Sequence, residues 1–132
     1  MIFKSVTVIG LGLIGGSVCR AIKKYNKSTE VIGIDADKEV LDFAVNNGIV
    51  DGGSSDQSFA VDSELVVIAT YVDRISETFE KIAPSLRKGT VVTDTGSVKS
   101  SIVHKIDGLL NYKVRFVGSH PIAGTQFSGI KN

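Results

Sequence analysis

Three glycines near the start of the chain constrain its fold more than any other feature. Gly10, Gly12 and Gly15 form a GxGxxG pattern that follows the β-branched apolar run Ser5–Gly10 and precedes apolar residues at helical spacing. In such a place the first glycine permits a tight turn, the second lets another group approach the backbone, and the third lets helix and strand touch. The pattern therefore predicts a strand, a tight turn and a helix.

The rest of the chain repeats this alternation of strand and helix. Further strands are expected at residues 30–35, 65–69, 90–94 and 114–119, and helices after Asp37, over about 75–83 and from about Ser97. The helix after Asp37 is expected to turn Val40, Leu41, Ala44 and Val45 inward. Residues 49–62 hold one short strand or mostly loop, in either case at the edge of the sheet. We predict one Rossmann domain over residues 1–132: an α/β, doubly wound parallel sheet in the order 3-2-1-4-5-6.

Composition excludes several classes of function. Fifteen basic and fourteen acidic residues leave a net charge of +1, so no overall field favours nucleic acid or an anionic membrane as a partner. Lys4 and the glycines interrupt the apolar start, which is too short to span a bilayer. The single cysteine, Cys19, has no partner for an internal disulfide and is expected to pack as a small apolar residue. These observations predict a cytoplasmic protein.

The glycine pattern also predicts a ligand. A helix N-terminus offers unpaired N–H groups and a positive dipole end, here at Leu13 and Ile14, which suits the pyrophosphate of a dinucleotide. Asp35 ends the second strand and suits the adenosine ribose hydroxyls of NAD, although it could instead be a simple turn residue beside a helix. We predict NAD as the cofactor and no metal.

Ligands of open α/β sheets bind outside the carboxyl ends of the strands, so the loops after the later strands are candidate site residues. Thr70 and Tyr71 follow the fourth strand and Thr95 the fifth, and all three are expected to contact the cofactor. Ser97 lies at the start of the next helix, where it could also be a cap. His120 follows the last strand and is the candidate base, with a purely structural histidine as the alternative. His104 and Lys99 are expected to be solvated.

Three stretches together resemble the signatures of prephenate dehydrogenases. They are GLGLIGGS at 10–17, DTGSVKS at 94–100 and GSHPIAGTQFSG at 118–129. The resemblance implies NAD-dependent oxidative decarboxylation of prephenate to 4-hydroxyphenylpyruvate in tyrosine biosynthesis. It assigns His120 as the group that accepts the proton of the ring hydroxyl, and Ser97 as a hydrogen-bonding partner of that hydroxyl.

The chain also departs from the family pattern. Gln126 stands where glutamate is common and Tyr71 where proline is common, and the helical domain through which the family dimerises and binds the substrate carboxylate is expected to be absent from this chain. Two alternatives remain open: arogenate dehydrogenase, the sister activity, and a stand-alone NAD-binding module without turnover. Another dehydrogenase of the wider superfamily is disfavoured by the HPIAG segment.

Overall fold

A computed structural model describes residues 3–56, 62–95 and 115–118 of the chain. They form a six-stranded sheet in the order 3-2-1-4-5-6. The strands are β1 (Ser5–Ile9), β2 (Glu30–Ile34), β3 (Gly52–Ser54), β4 (Leu65–Ile68), β5 (Val91–Asp94) and β6 (Arg115–Gly118). The helices are α1 (Leu13–Tyr25), α2 (Lys38–Asn46) and α3 (Ile75–Ile82). The predicted doubly wound parallel sheet is confirmed, whereas the helix expected from about Ser97 lies outside the described residues.

All five strand pairings are parallel, so every strand ends at the same edge of the sheet. The order reverses beside β1, which pairs with β2 on one side and with β4 on the other. Such a reversal leaves a crevice at the carboxyl ends of β1 and β4, because the connections leave these two strands toward opposite faces of the sheet.

Two apolar cores cover the two faces of the sheet. One contains Ile75, Phe79 and Ile82 of α3 with Val66 and Ile68 of β4. The other contains Cys19 of α1 and Leu41 and Ala44 of α2 with Val67 of β4. Successive side chains of a strand point to opposite faces, which explains why β4 is apolar at every position rather than at alternate ones.

Helix α2 begins as the sequence predicts, because the Asp37 carboxylate accepts a hydrogen bond of 2.9 Å from the N–H of Glu39. The expectation that Val45 faces the core is wrong: 41% of this residue is exposed. The chain turns back after α2, and the N–H groups of Ile49 and Val50 donate to the Ala44 carbonyl. Ile49 and Val50 are buried there and take the place in the core that Val45 was expected to fill.

No helix in the described ranges is long and apolar enough to cross a membrane. Cys19 is fully buried, as expected for a small apolar residue, and burial raises the pKa of its thiol to about 12 despite an opposing backbone hydrogen bond.

Candidate nucleotide-binding site at the carboxyl edge

Backbone hydrogen bonds between neighbouring strand ends hold this edge together. The N–H of Gly10 donates to the Ile34 carbonyl at 2.7 Å, and the N–H of Ala69 donates to the Ile9 carbonyl at 2.7 Å. The N–H of Thr95 donates to the Ile68 carbonyl at 3.1 Å. The residues that follow β1, β4 and β5 are therefore fixed beside one another, as the sequence predicts.

The three glycines have three different environments. Gly10 has a φ of +96°, a conformation that side chains rarely adopt, and so forms the tight turn. A Cβ atom on Gly15 would lie 1.8 Å from the Gly10 carbonyl oxygen, so only glycine lets α1 approach the turn so closely. A Cβ atom on Gly12 would meet nothing within 4 Å. The open space lies at Gly12, where the sequence predicts the approach of a phosphate.

Helix α1 begins at this open space without a side-chain cap. Gly12 is the N-cap residue and provides no side-chain hydrogen bond, and the first turn contains no acidic residue. The N–H groups at Leu13 and Ile14 and the positive end of the helix dipole are consequently available to an anion. Leu13 itself is 58% exposed.

Asp35 is half-buried and its two carboxylate oxygens accept from different parts of the edge. Oδ2 accepts from the N–H of Leu11 at 2.8 Å, and Oδ1 accepts from the N–H of Asp37 at 2.9 Å. Each carboxylate oxygen has a second lone pair that remains able to accept. Asp35 therefore positions the glycine turn, and its remaining lone pairs are able to accept further hydrogen bonds.

The loop after β4 forms the other side of the crevice. The Oγ1 atom of Thr70 is buried and has no hydrogen-bond partner, a state that no other buried side-chain N or O atom of the described residues shares. Tyr71 follows it and is 82% exposed. Thr95, at the end of β5, is half-buried beside Ile68.

Ser97 and His120 lie outside the described residues, so their predicted roles remain predictions. The strands that precede them, β5 and β6, are neighbours and end at the paired residues Asp94 and Gly118.

Asp94 was not identified as a site residue from the sequence. It is fully buried at the carboxyl end of β5 and takes part in an interaction with its surroundings. A buried carboxylate is costly without such partners. The signal in the sequence was an acidic residue that closes the otherwise uncharged strand VVTD.

The described residues fit a bound dinucleotide. The open space beside Gly12, the uncapped helix and the buried hydroxyl of Thr70 offer room and hydrogen-bond donors for its phosphates and sugars, and Asp35 offers acceptors. These features lie where a doubly wound sheet binds such ligands.

The sheet order and this edge define a nucleotide-binding domain of the Rossmann type. Residues 18–132 match the family described as prephenate dehydrogenase, nucleotide-binding domain. The chain belongs to this family.

Similar proteins support the same assignment. A prephenate dehydrogenase of Lactococcus lactis subsp. cremoris is 36% identical over 129 residues, which are 96% of this chain and 36% of that protein. The crystal structure of prephenate dehydrogenase from A. aeolicus in complex with hydroxyphenyl propionate and NAD+ has a TM-score of 0.85 at 30% identity, over 99% of this chain and 46% of that one. Synechocystis arogenate dehydrogenase has a TM-score of 0.83 at 31% identity, over 96% of this chain and 44% of that one. The chain thus spans less than half the length of each of these relatives.

Proposed function

We propose that this chain binds NAD and is the cofactor-binding half of a prephenate dehydrogenase, which converts prephenate into 4-hydroxyphenylpyruvate and carbon dioxide. The observation that carries the proposal is the carboxyl edge, where Gly12 borders open space at an uncapped helix N-terminus and Asp35 lies beside it. Membership of the family supplies the reaction.

The residues of the edge divide the binding of NAD among them. The N–H groups at Leu13 and Ile14 would bind the pyrophosphate, and Asp35 would accept from the adenosine ribose hydroxyls. Thr70 and Tyr71 would contact the cofactor from the far side of the crevice, with Thr95 beyond them. NAD, once bound, accepts the hydride released from the substrate carbon.

The residues proposed for the chemistry are Ser97 and His120. Ser97 would hydrogen-bond the ring hydroxyl of the substrate and His120 would accept its proton, because an imidazole titrates near neutral pH. The bond from the ring to its carboxylate breaks in the same conversion, and formation of the aromatic ring makes the change favourable. The protein therefore has to supply mainly positioning and proton transfer.

Membership of the family also supports proposals about the compartment, the oligomeric state and the substrate. We place the activity in the cytoplasm, in a protein that acts as a homodimer and whose further domain completes the substrate pocket. Arogenate is the second candidate substrate, because the Synechocystis arogenate dehydrogenase is nearly as similar in structure as the prephenate enzyme. A stand-alone NAD-binding module without turnover is the alternative of another class.

A turnover assay of the complete gene product separates these possibilities. Formation of NADH is followed at saturating NAD with prephenate and, in parallel, with arogenate. Prephenate-dependent NADH formation is expected, and His120→Asn should lower it by roughly 10²–10⁴-fold while leaving NAD affinity nearly unchanged. Faster turnover with arogenate would make arogenate the substrate in place of prephenate. No turnover with either compound would favour the stand-alone NAD-binding module. A His120→Asn protein that keeps most of its activity would make this histidine structural.

A further inference from the structure

A cavity of about 280 Å³ lies between the C-terminal half of α1 and the turn that follows α2. The residues that line it are Arg20, Lys23, Asn47, Gly48 and Ile49. The turn leads into β3, and all strands of the sheet are parallel, so the cavity lies toward the amino ends of the strands. The cavity is therefore separate from the glycine turn and from the site proposed for NAD.

Both charged side chains that line the cavity are positive. Arg20 and Lys23 are three residues apart on α1, a spacing that places two side chains on the same face of a helix. Lys23 Nζ is paired with Asp51, at 2.7 Å from Oδ1 and 2.9 Å from Oδ2. Within the part of the chain that the structure describes, no carboxylate lies within ion-pair distance of Arg20. The positive charge of Arg20 is thus left without a counter-charge there.

The turn after α2 does not provide that counter-charge. None of the residues that line the cavity is acidic. The C-terminal end of a helix is the negative end of its dipole, but carbonyl groups at this end are already hydrogen-bonded. The Phe43 carbonyl accepts from the N–H of Asn47 at 3.0 Å and from its side-chain amide at 2.8 Å, and the Ala44 carbonyl accepts from the N–H of Ile49 at 2.9 Å. The cavity is consequently a polar space with an excess of positive charge.

The groups that line the cavity indicate what it can bind. A guanidinium holds five N–H donors in a planar fork that matches two oxygen atoms of a carboxylate or a phosphate. The Lys23 ammonium has three N–H donors, of which Asp51 accepts two, and the Asn47 amide has a second N–H beside the one donated to Phe43. Because the volume is below that of pockets for drug-sized ligands, which begin at roughly 300 Å³, the ligand has to be small.

We propose that this cavity binds a small oxyanion, a carboxylate or phosphate group, through the guanidinium of Arg20. The remaining N–H groups of Lys23 and Asn47 are further donors to the same anion. A bound anion joins α1 to the turn before β3, and it stabilises the folded chain in proportion to the logarithm of its concentration. The inference requires neither NAD nor turnover, so it stands or falls separately from the proposed function.

The test is a titration of the ¹⁵N-labelled 132-residue chain, followed by NMR. Inorganic phosphate and succinate are the two probes, and sodium chloride at equal ionic strength is the reference. The amide of Gly48 and the side-chain N–H of Arg20 should shift along saturable curves with a dissociation constant on the order of 1–10 mM. The amide of Gly12 reports separately on any phosphate that binds at the glycine turn. Saturation with phosphate alone or with succinate alone would identify which of the two groups the cavity takes.

Two variants that remove the same charge from the same helix show whether Arg20 is responsible. Arg20→Gln should raise the dissociation constant by about tenfold or more, because it removes the planar fork and its charge. Lys24→Gln is the matched control and should change it by less than about threefold, since Lys24 does not line the cavity and its Nζ lies 5.3 Å from the centre of the Tyr25 ring. Both side chains are exposed, so both variants should fold.

Three results would overturn the inference. The first is a pair of signals that shift no further with phosphate or succinate than with chloride. The second is a shift that grows without saturation, which is the mark of general screening. The third is an equal loss of binding in Arg20→Gln and Lys24→Gln, which would show a diffuse positive surface in place of a site.

Discussion

Asp35 has a structural task in the glycine turn beside its proposed task in cofactor binding. Its carboxylate accepts from the N–H groups of Leu11 and Asp37 and so connects the glycine turn with the start of the next helix. We propose that the same carboxylate also accepts from the adenosine ribose of a bound dinucleotide. Substitution of Asp35 is therefore expected to affect the conformation of the turn together with the choice of cofactor.

Asp35 is expected to make the chain prefer NAD over NADP. NAD should bind at least about 100-fold more tightly than NADP, because two like charges about 4 Å apart near a protein surface repel by up to about 4 kcal/mol. Asp35→Asn should narrow the gap, although it should also weaken NAD binding, because a carboxamide can accept from only one of the two backbone N–H groups. Calorimetric titrations of both cofactors measure this, and equal affinities in the wild type would contradict it.

Cys19 is fully buried, and we expect its thiol to be unreactive in the folded chain. Burial raises the pKa of its thiol to about 12, so the thiol is almost entirely protonated at pH 8. Iodoacetamide should leave the folded chain unmodified at this pH and should react after denaturation. Because Cys19 is the single cysteine, mass spectrometry reads the result directly. Rapid modification of the folded chain would show that the thiol is accessible.

Two glycines at the start of α1 should differ in their roles: Gly12 in binding of NAD and Gly15 in folding. Gly12→Ala adds a Cβ atom to open space at a φ of −73°, which alanine adopts, so stability should change by less than about 1 kcal/mol. The methyl group would occupy the space that we propose for the pyrophosphate, and NAD affinity should fall by more than about tenfold.

Gly15→Ala is the matched substitution for folding. Its Cβ atom would lie 1.8 Å from the Gly10 carbonyl oxygen, so α1 must move away from the turn. We expect a loss of about 2–4 kcal/mol in the free energy of unfolding, measured by urea denaturation. Equal effects of the two substitutions on stability and on NAD binding would refute this division of roles.

An ion pair links the C-terminal end of α1 to the residue that precedes the edge strand β3. Lys23 Nζ lies 2.7 Å from Asp51 Oδ1, and Asp51 Oδ2 also accepts from the N–H of Val31 at 2.8 Å. Lys23, but not Asp51, also lines the cavity of about 280 Å³ between α1 and the end of α2. Burial works against the charge of Asp51, but the Lys23 side chain and the Val31 N–H together outweigh it and lower the pKa of the carboxyl.

The lowered pKa predicts a dependence of stability on pH. A carboxyl whose pKa is lower in the folded than in the unfolded state stabilises the fold above about pH 4 and loses that contribution as the pH falls through the folded pKa. With 39% of the Asp51 side chain exposed, solvent screening limits the effect to about 1 kcal/mol. Urea denaturation between pH 6 and pH 2.5 should show a smaller loss for Asp51→Asn than for the wild type. Parallel curves for the two proteins would exclude this contribution.

For the whole molecule, we predict that the 132-residue chain folds and binds NAD but oxidises prephenate at a negligible rate. The glycine turn, Asp35 and the loop after β4 lie on one sheet, so we expect them to bind the cofactor without residues from outside it. Holding the substrate carbon within about 3–3.5 Å of the nicotinamide is a separate requirement, and such positioning can supply about 7–11 kcal/mol of the barrier.

The measurement is a steady-state assay of this chain with saturating NAD and prephenate, beside a binding titration. Robust turnover by this chain alone would show that its residues suffice for the whole substrate pocket.

Local patterns in the sequence predicted the architecture. The continuous apolar run of β4, the glycines around the first turn and the Asp37 cap each act over a few residues, so their consequences can be inferred without the rest of the chain. The position of β3, within residues 49–56, at the sheet edge and the sheet order also follow, the latter because crossovers between parallel strands have a fixed hand. The error at Val45 arose because Ile49 and Val50 return to the core, which helical periodicity does not describe.

The amino-acid sequence alone determined the fold class, the glycine turn and the meeting of the residues that follow β1, β4 and β5 at the carboxyl edge. Only the tertiary structure showed that Asp35 accepts from Leu11, that Asp94 is fully buried and that the hydroxyl of Thr70 lacks a partner. Burial and hydrogen-bond partnership depend on neighbours that are distant in sequence: Thr70 lies 60 residues after the turn it faces. Propensity and periodicity are local properties, whereas the satisfaction of a polar group is decided by the packed sheet as a whole.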